Sequence, residues 1–138
     1  MKEIRFLCLI LLSTLVLTAC GNAAPAGDLP ETPPETVVQD FYAWYLGERS
    51  AGPKDLHDSS AISAGLLARY DEARQSAQPG NMVSLVCAQD FPDNITVIDT
   101  QVNGERATVT VTSSFGNTIE LTLLVADGTW QIDDVTCK

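Results

Sequence analysis

Four cysteines, one histidine, two tyrosines three residues apart and four aspartates close in sequence to two of the cysteines are the side chains of this 138-residue chain whose types could do chemistry. Thiols can be acylated, oxidised to disulfides or used as nucleophiles. Asp90, Asp93, Asp133 and Asp134 form a candidate acidic binding edge. Gathered by the fold, they could dock a basic partner or hold a Ca²⁺, which takes about six to eight oxygen ligands. Tyr42 and Tyr45 could line a pocket. His57 stands near Asp55 and Asp58 without a second histidine or a placed nucleophile, so no metal site or general base is expected there. No G-x-S-x-G, H-E-x-x-H or phosphate-loop pattern occurs. No catalytic residue, resident metal or cofactor is expected.

The position of each cysteine decides its chemistry. Lys2 and Arg5 precede an apolar run from Phe6 to Leu17 broken only by Ser13 and Thr14, the pattern of a secretory signal. A membrane-spanning helix needs roughly 20 apolar residues, so this run is too short to be one. It ends in Leu17-Thr18-Ala19-Cys20, which resembles the lipobox of bacterial lipoproteins. That resemblance implies that Cys20 takes a diacylglycerol and becomes the N-terminus after cleavage. Two or more acyl chains anchor stably where one is marginal, so the expected partner of Cys20 is membrane lipid. The expected location is a lipid anchor in the cell membrane or outer membrane, facing the extracytoplasmic side. Cys8 leaves with the signal, and Cys87 and Cys137 remain as a pair suited to an oxidising compartment. We expect them to form a disulfide, which would draw Asp90 and Asp93 toward Asp133 and Asp134.

Composition narrows the partners. The net charge is −10, and removing Lys2, Glu3 and Arg5 with the signal takes it to about −11. Nucleic acid and anionic lipid surfaces require basic patches, so nucleic acid is excluded as a partner. The chain divides into a signal (1–19), a lipidated cysteine and Pro/Ala-rich linker (20–34) and a single domain (35–138).

The elements that must position these residues follow from periodicity. Thr32-Pro33-Pro34-Glu35 has the form of a capping box with proline at the first helical position. The helix it opens carries Val37, Val38, Phe41, Tyr42, Trp44, Tyr45 and Leu46 over a wide arc and stops near Gly47, so it should be mostly buried. Arg49 to Ser60 reads as loop. Ser59 or Ser60 would cap a second, surface-lying helix over Ala61 to Gln75, with Ile62, Leu66, Tyr70 and Ala73 on one face. Gln78-Pro79-Gly80-Asn81 breaks the chain. The period then becomes two, giving strands over Met82 to Gln89 and Ile95 to Val102, and an Asn103-Gly104 hairpin leads to a third strand. In that strand Ala107, Val109, Val111 and Phe115 should face inward, with Thr108, Thr110 and Thr112 outward. Ile119, Leu121, Leu123 and Val125, then Trp130 and Ile132, complete an antiparallel meander.

Three blocks carry a wider resemblance: Phe41-Tyr42-Ala43-Trp44-Tyr45, Cys87-Ala88-Gln89-Asp90, and Asp127-Gly128-Thr129-Trp130-Gln131-Ile132-Asp133-Asp134-Val135 followed by Cys137. Together, over about Glu35 to Lys138, they resemble the bacterial lipoprotein family called domain of unknown function 3828. The resemblance implies an α+β fold with N-terminal helices packed on a curved antiparallel β-sheet, the nuclear transport factor 2-like or cystatin-like cone. It implies no activity and transfers no catalytic residue. The functional expectation is therefore a lipid-anchored envelope protein with a small non-catalytic domain that binds an envelope protein or a small ligand. The alternative is a ligand carrier or enzyme using a pocket between the first helix and the sheet.

Overall fold

A computed structural model describes residues 28–47, 54–76 and 84–138. The signal, Cys20, most of the linker and the Gln78-Pro79-Gly80-Asn81 break lie outside those residues. The fold is α+β: helix α1 (Pro34–Leu46), a 3₁₀ turn (Leu56–Asp58), helix α2 (Ala64–Ser76), then strands β1 (Ile95–Asn103), β2 (Arg106–Ser113), β3 (Thr118–Ala126) and β4 (Thr129–Cys137). The strands form one antiparallel sheet in the order β1-β2-β3-β4.

The sheet follows its alternation. Ala107, Val109 and Val111 on β2, Ile119, Leu121 and Leu123 on β3, and Trp130 and Ile132 on β4 are buried on one face. The β2 threonines between them are only partly covered. Onto that face α1 lays Val38, Phe41 and Tyr42, with Val37, Trp44, Tyr45 and Leu46 half-buried beside them, while Gln39, Asp40 and Ala43 stay in solvent. The wide apolar arc of the helix is thus satisfied by one sheet face.

Phe115 differs from its expected place. It is 54% exposed, because β2 ends at Ser113, whose Oγ accepts from the backbone N–H groups of Phe115 and Asn117 and holds the chain in a turn. The first hairpin turns on Gly104 and Glu105, one residue later than the Asn-Gly pair, with Asn103 opposite Arg106 and Gly104 at φ +59.

Both helix starts also shift. The N-cap of α1 is Pro33, with no side-chain cap, so the Thr32–Glu35 box does not form. A residue before proline is pushed out of the helical region, and Pro33, at φ −62 and ψ 148, precedes Pro34. Its carbonyl instead accepts from the N–H groups of Thr36 and Val37. At the other end, the Gly47 N–H donates to the Ala43 carbonyl, and a Cβ on Gly47 would lie 2.7 Å from that same oxygen. No larger residue fits there without a backbone shift.

Helix α2 begins at Ala64, capped by Ser63 rather than Ser59 or Ser60. Residues 61–63 are already engaged with the sheet edge: Ile132 N–H donates to the Ala61 carbonyl (2.7 Å) and Ser63 N–H to the Ile132 carbonyl (2.9 Å). Ile62 accordingly lies outside the helix, bridged to Ile132. The Ser63 hydroxyl accepts from Leu66 N–H at 3.0 Å and donates to Asp133 Oδ1 at 2.7 Å. Ser63→Ala loses both bonds, so it should cost about 1–2 kcal/mol in chemical denaturation.

The segment expected to be the first strand is irregular over its described part, Ser84 to Gln89. Leu85 and Val86 are adjacent and both buried, which a period of two forbids, and Cys87 takes φ +52. Tertiary ties, not ladder bonds, hold this segment.

Candidate functional site

The disulfide is present. Cys87 and Cys137 are bonded with their Cα atoms 5.6 Å apart, joining the irregular segment to the last residue of β4. Two further bonds fix the same segment: the Tyr42 hydroxyl donates to the Leu85 carbonyl at 2.7 Å, and Asn117 Nδ2 donates to the Cys87 carbonyl at 3.1 Å. A left-handed, non-glycine Cys87 is a costly conformation that surrounding contacts must over-determine.

The four aspartates divide between two places. The register passes from Thr122 opposite Asp134 to Leu123 opposite Ile132, leaving Asp133 as an extra residue. Such a bulge re-aims side chains. Asp133 accepts from Ser63 Oγ, its carbonyl accepts from Arg69 Nη2, and Asp134 lies 3.5 Å from Arg69, so this pair is engaged with α2. Asp90 and Asp93 belong to the loop that precedes β1, where Asp93 N–H donates to Ser114 Oγ at 2.9 Å. Among the described residues no three His, Cys, Asp or Glu side chains are placed to hold a metal ion.

Tyr42 and Tyr45 have different roles. Tyr42, 2% exposed, forms part of a shallow pocket of about 300 Å³ between α1 and the start of β1, with Gln39, Leu46, Asp93 and Ile95. Tyr45 stacks on Phe41 at 5.6 Å and packs against Phe91 at 5.7 Å. Burial first, and then the neighbouring Tyr45 phenol, push the Tyr42 hydroxyl well above the ordinary phenol range. Burial and Tyr70 push Tyr45 in the same direction. Neither phenol can act as a base near neutral pH.

Raising the folded-state pKa gives stability that is whole below the unfolded phenol's pKa of about 10 and is lost as pH climbs above it. Tyr42→Phe should therefore cost about 1–3 kcal/mol at neutral pH, by orphaning the Leu85 carbonyl, and should flatten the alkaline loss. Denaturant midpoints measured at pH 7 and pH 11 check both effects.

His57 faces Asp71, its Nε2 lying 3.2 and 3.1 Å from the two carboxylate oxygens, and its N–H donates to Asp55. Both side chains are well exposed, and such a pair contributes little. A larger cleft of about 620 Å³ lies where the chain enters, between Pro30–Thr32, Val37 and Asp40 on one side and Gly128–Gln131 on the other. At the opposite end of the sheet Phe91 and Phe115 stand about half exposed. Neither the cleft nor this end was expected from the sequence. For Phe91 a signal existed: an aromatic within the turn-like Asp90-Phe91-Pro92-Asp93, with no period-two neighbours to bury it.

No family model matches the chain, and no curated protein matches it. Solved structures do. The chain superposes on one chain of the type VI effector–immunity complex Tae3–Tai3 from Ralstonia pickettii with a TM-score of 0.61, covering 77% of this chain and 97% of that one at 22% identity, in the selenomethionine crystal. In the native crystal of the same complex the values are 0.61, 76%, 94% and 21%. At such identity the likeness is one of fold.

Proposed function

We propose that this chain is a lipid-anchored cell-envelope protein whose small domain, of the nuclear transport factor 2-like type, binds another protein without catalysing a reaction. The observation that carries this reading is the fold likeness, which spans nearly the whole of a chain that was crystallised in an effector–immunity complex. Of the two roles in such a complex, the immunity role suits these residues. Among the described residues the Tyr42 and Tyr45 phenols are held in their neutral form, Cys87 and Cys137 are oxidised, and His57 is matched with an exposed aspartate. Binding an effector needs a rigid surface, and a disulfide-tied domain on a lipid tether supplies one outside the cytoplasm.

Cells lacking the protein should lose viability beside siblings that deliver type VI effectors and recover when it is restored. Unchanged viability in every pairing would overturn the immunity role. The anchor has its own test: the native protein's mass should include an acylated N-terminal Cys20, and an unmodified product would refute it. A ligand carrier is the second reading, supported by the pocket of about 300 Å³ beside Tyr42, which is at the small end for ligand sites.

A further inference from the structure

We infer that the end of the sheet carrying Phe91 and Phe115 is the docking surface, and that its occupant is a protein with an apolar pocket rimmed by Lys and Arg side chains. The inference rests on the binding reading above and locates it.

The path of the chain singles out this end. Pro30–Thr32 enter beside the β3–β4 turn, and α1, about 20 Å long, runs from there to Leu46, which shares a pocket with Asp93 and Ile95. The residues before 28 therefore join the domain at the end opposite Phe91, which leaves the Phe91 end clear of the tether's attachment. Two exposed aromatics there, 47% and 54% accessible, are the kind of anchor that dominates protein interfaces.

The end is also pre-organised. Ser114 N–H donates to the Asn94 carbonyl and Asp93 N–H to Ser114 Oγ, stapling the loop before β1 to the turn that carries Phe115. The Cys87–Cys137 bond and the Phe91–Tyr45 contact fix the other side of that loop. An anchor already held in its bound form loses little entropy on binding.

Charge decides the occupant. Asp90 adjoins Phe91 in a chain of net charge −10, with 18 acidic and 8 basic residues, so a second copy would bring two acidic surfaces together, whereas a basic rim is attracted. Of the other exposed apolar residues, Leu29 stands alone at the opposite end, beside the entry of the chain, and Ile98 and Val102 lie on the edge strand β1, where the register slips between Val97 and Asp99. That irregularity blunts the edge against strand addition.

The test places p-benzoylphenylalanine at Phe91, Phe115, Ile98 or Glu105 of the full-length protein and irradiates intact producing cells. The expected result is a heterologous adduct from Phe91 and Phe115 and none from Ile98 or Glu105. The captured protein, purified, should bind the detergent-extracted native protein with a Kd that rises about 30-fold for Phe91→Ala and rises with salt. Phe115→Ala, at a residue that touches no other ring among the described residues, should weaken binding at least tenfold with an unchanged melting temperature. Adducts from Ile98 or Glu105 alone would overturn this surface while leaving the binding reading intact. So would an adduct of two copies, or a captured protein whose Kd is indifferent to both alanines. No adduct at any position would overturn both readings.

Discussion

Replacing Cys87 and Cys137 with serine should lower the unfolding free energy by about 4 kcal/mol and the melting temperature by on the order of 20 °C. The bond closes a loop of 50 residues, and the chain-entropy cost it removes from the unfolded state grows with loop length. Small domains have only about 5–15 kcal/mol in total, so the loss is a large share. Its location makes the effect uneven. Ser84 to Gln89 has no ladder partners and holds Cys87 at φ +52, so among the described residues its remaining ties without the bond are Tyr42 on Leu85, Asn117 on Cys87 and the packing of Leu85, Val86, Cys87 and Ala88 against the core. Hydrogen exchange in the double variant should rise first in this segment and in the Phe91 loop, while β2 and β3 stay protected. A loss below about 1 kcal/mol, or uniform exchange, would mean that side-chain packing alone fixes the segment.

Phe41→Ala should cost about 3–5 kcal/mol, as expected for a buried aromatic truncated in a packed core. Phe41 is the hub of the aromatic cluster along α1 and is buried in the core: its ring lies 5.2 Å from Tyr42, 6.0 Å from Trp44 and 5.6 Å from Tyr45. Each good aromatic pair adds about 0.5–1.5 kcal/mol beyond burial, so the loss should fall in the upper part of that range. Asp40→Ala, one residue earlier and in solvent, should stay within about 0.5 kcal/mol. Urea titrations followed by tryptophan fluorescence give both values. Similar midpoints for the two variants would show that α1 does not rest on this ring.

Much of the sheet was legible because Val109, Val111, Ile119, Leu121 and Leu123 keep strict alternation between turn residues, and alternation has a single physical reading when one face is buried. The helix starts were less so. Three serines precede α2, and only the hydrogen bonds of Ala61 and Ser63 to Ile132 choose among them. Ser84 to Gln89 looked like a strand because its residues are apolar, yet Tyr42, Asn117 and Cys137 set its path from 30 to 50 positions away.

The cysteine pairing could be read by counting thiols. The aspartates could not, since a one-residue bulge at Asp133 turns that pair toward Ser63 and Arg69, and bulges follow from register rather than composition. The exposed Phe115 was hidden because the turn at Ser113 ends β2 before Phe115 can reach the core face.

The central claim, a binding domain on a lipid tether, is tested most directly by crosslinking intact cells, isolating the full-length tagged protein and rebuilding any complex from purified parts. The account predicts one protein recovered in near-equal amount, which rebinds the detergent-extracted native chain with a Kd at or below the micromolar range. Recovery of the lipoprotein alone, with and without type VI-armed neighbours, would contradict it.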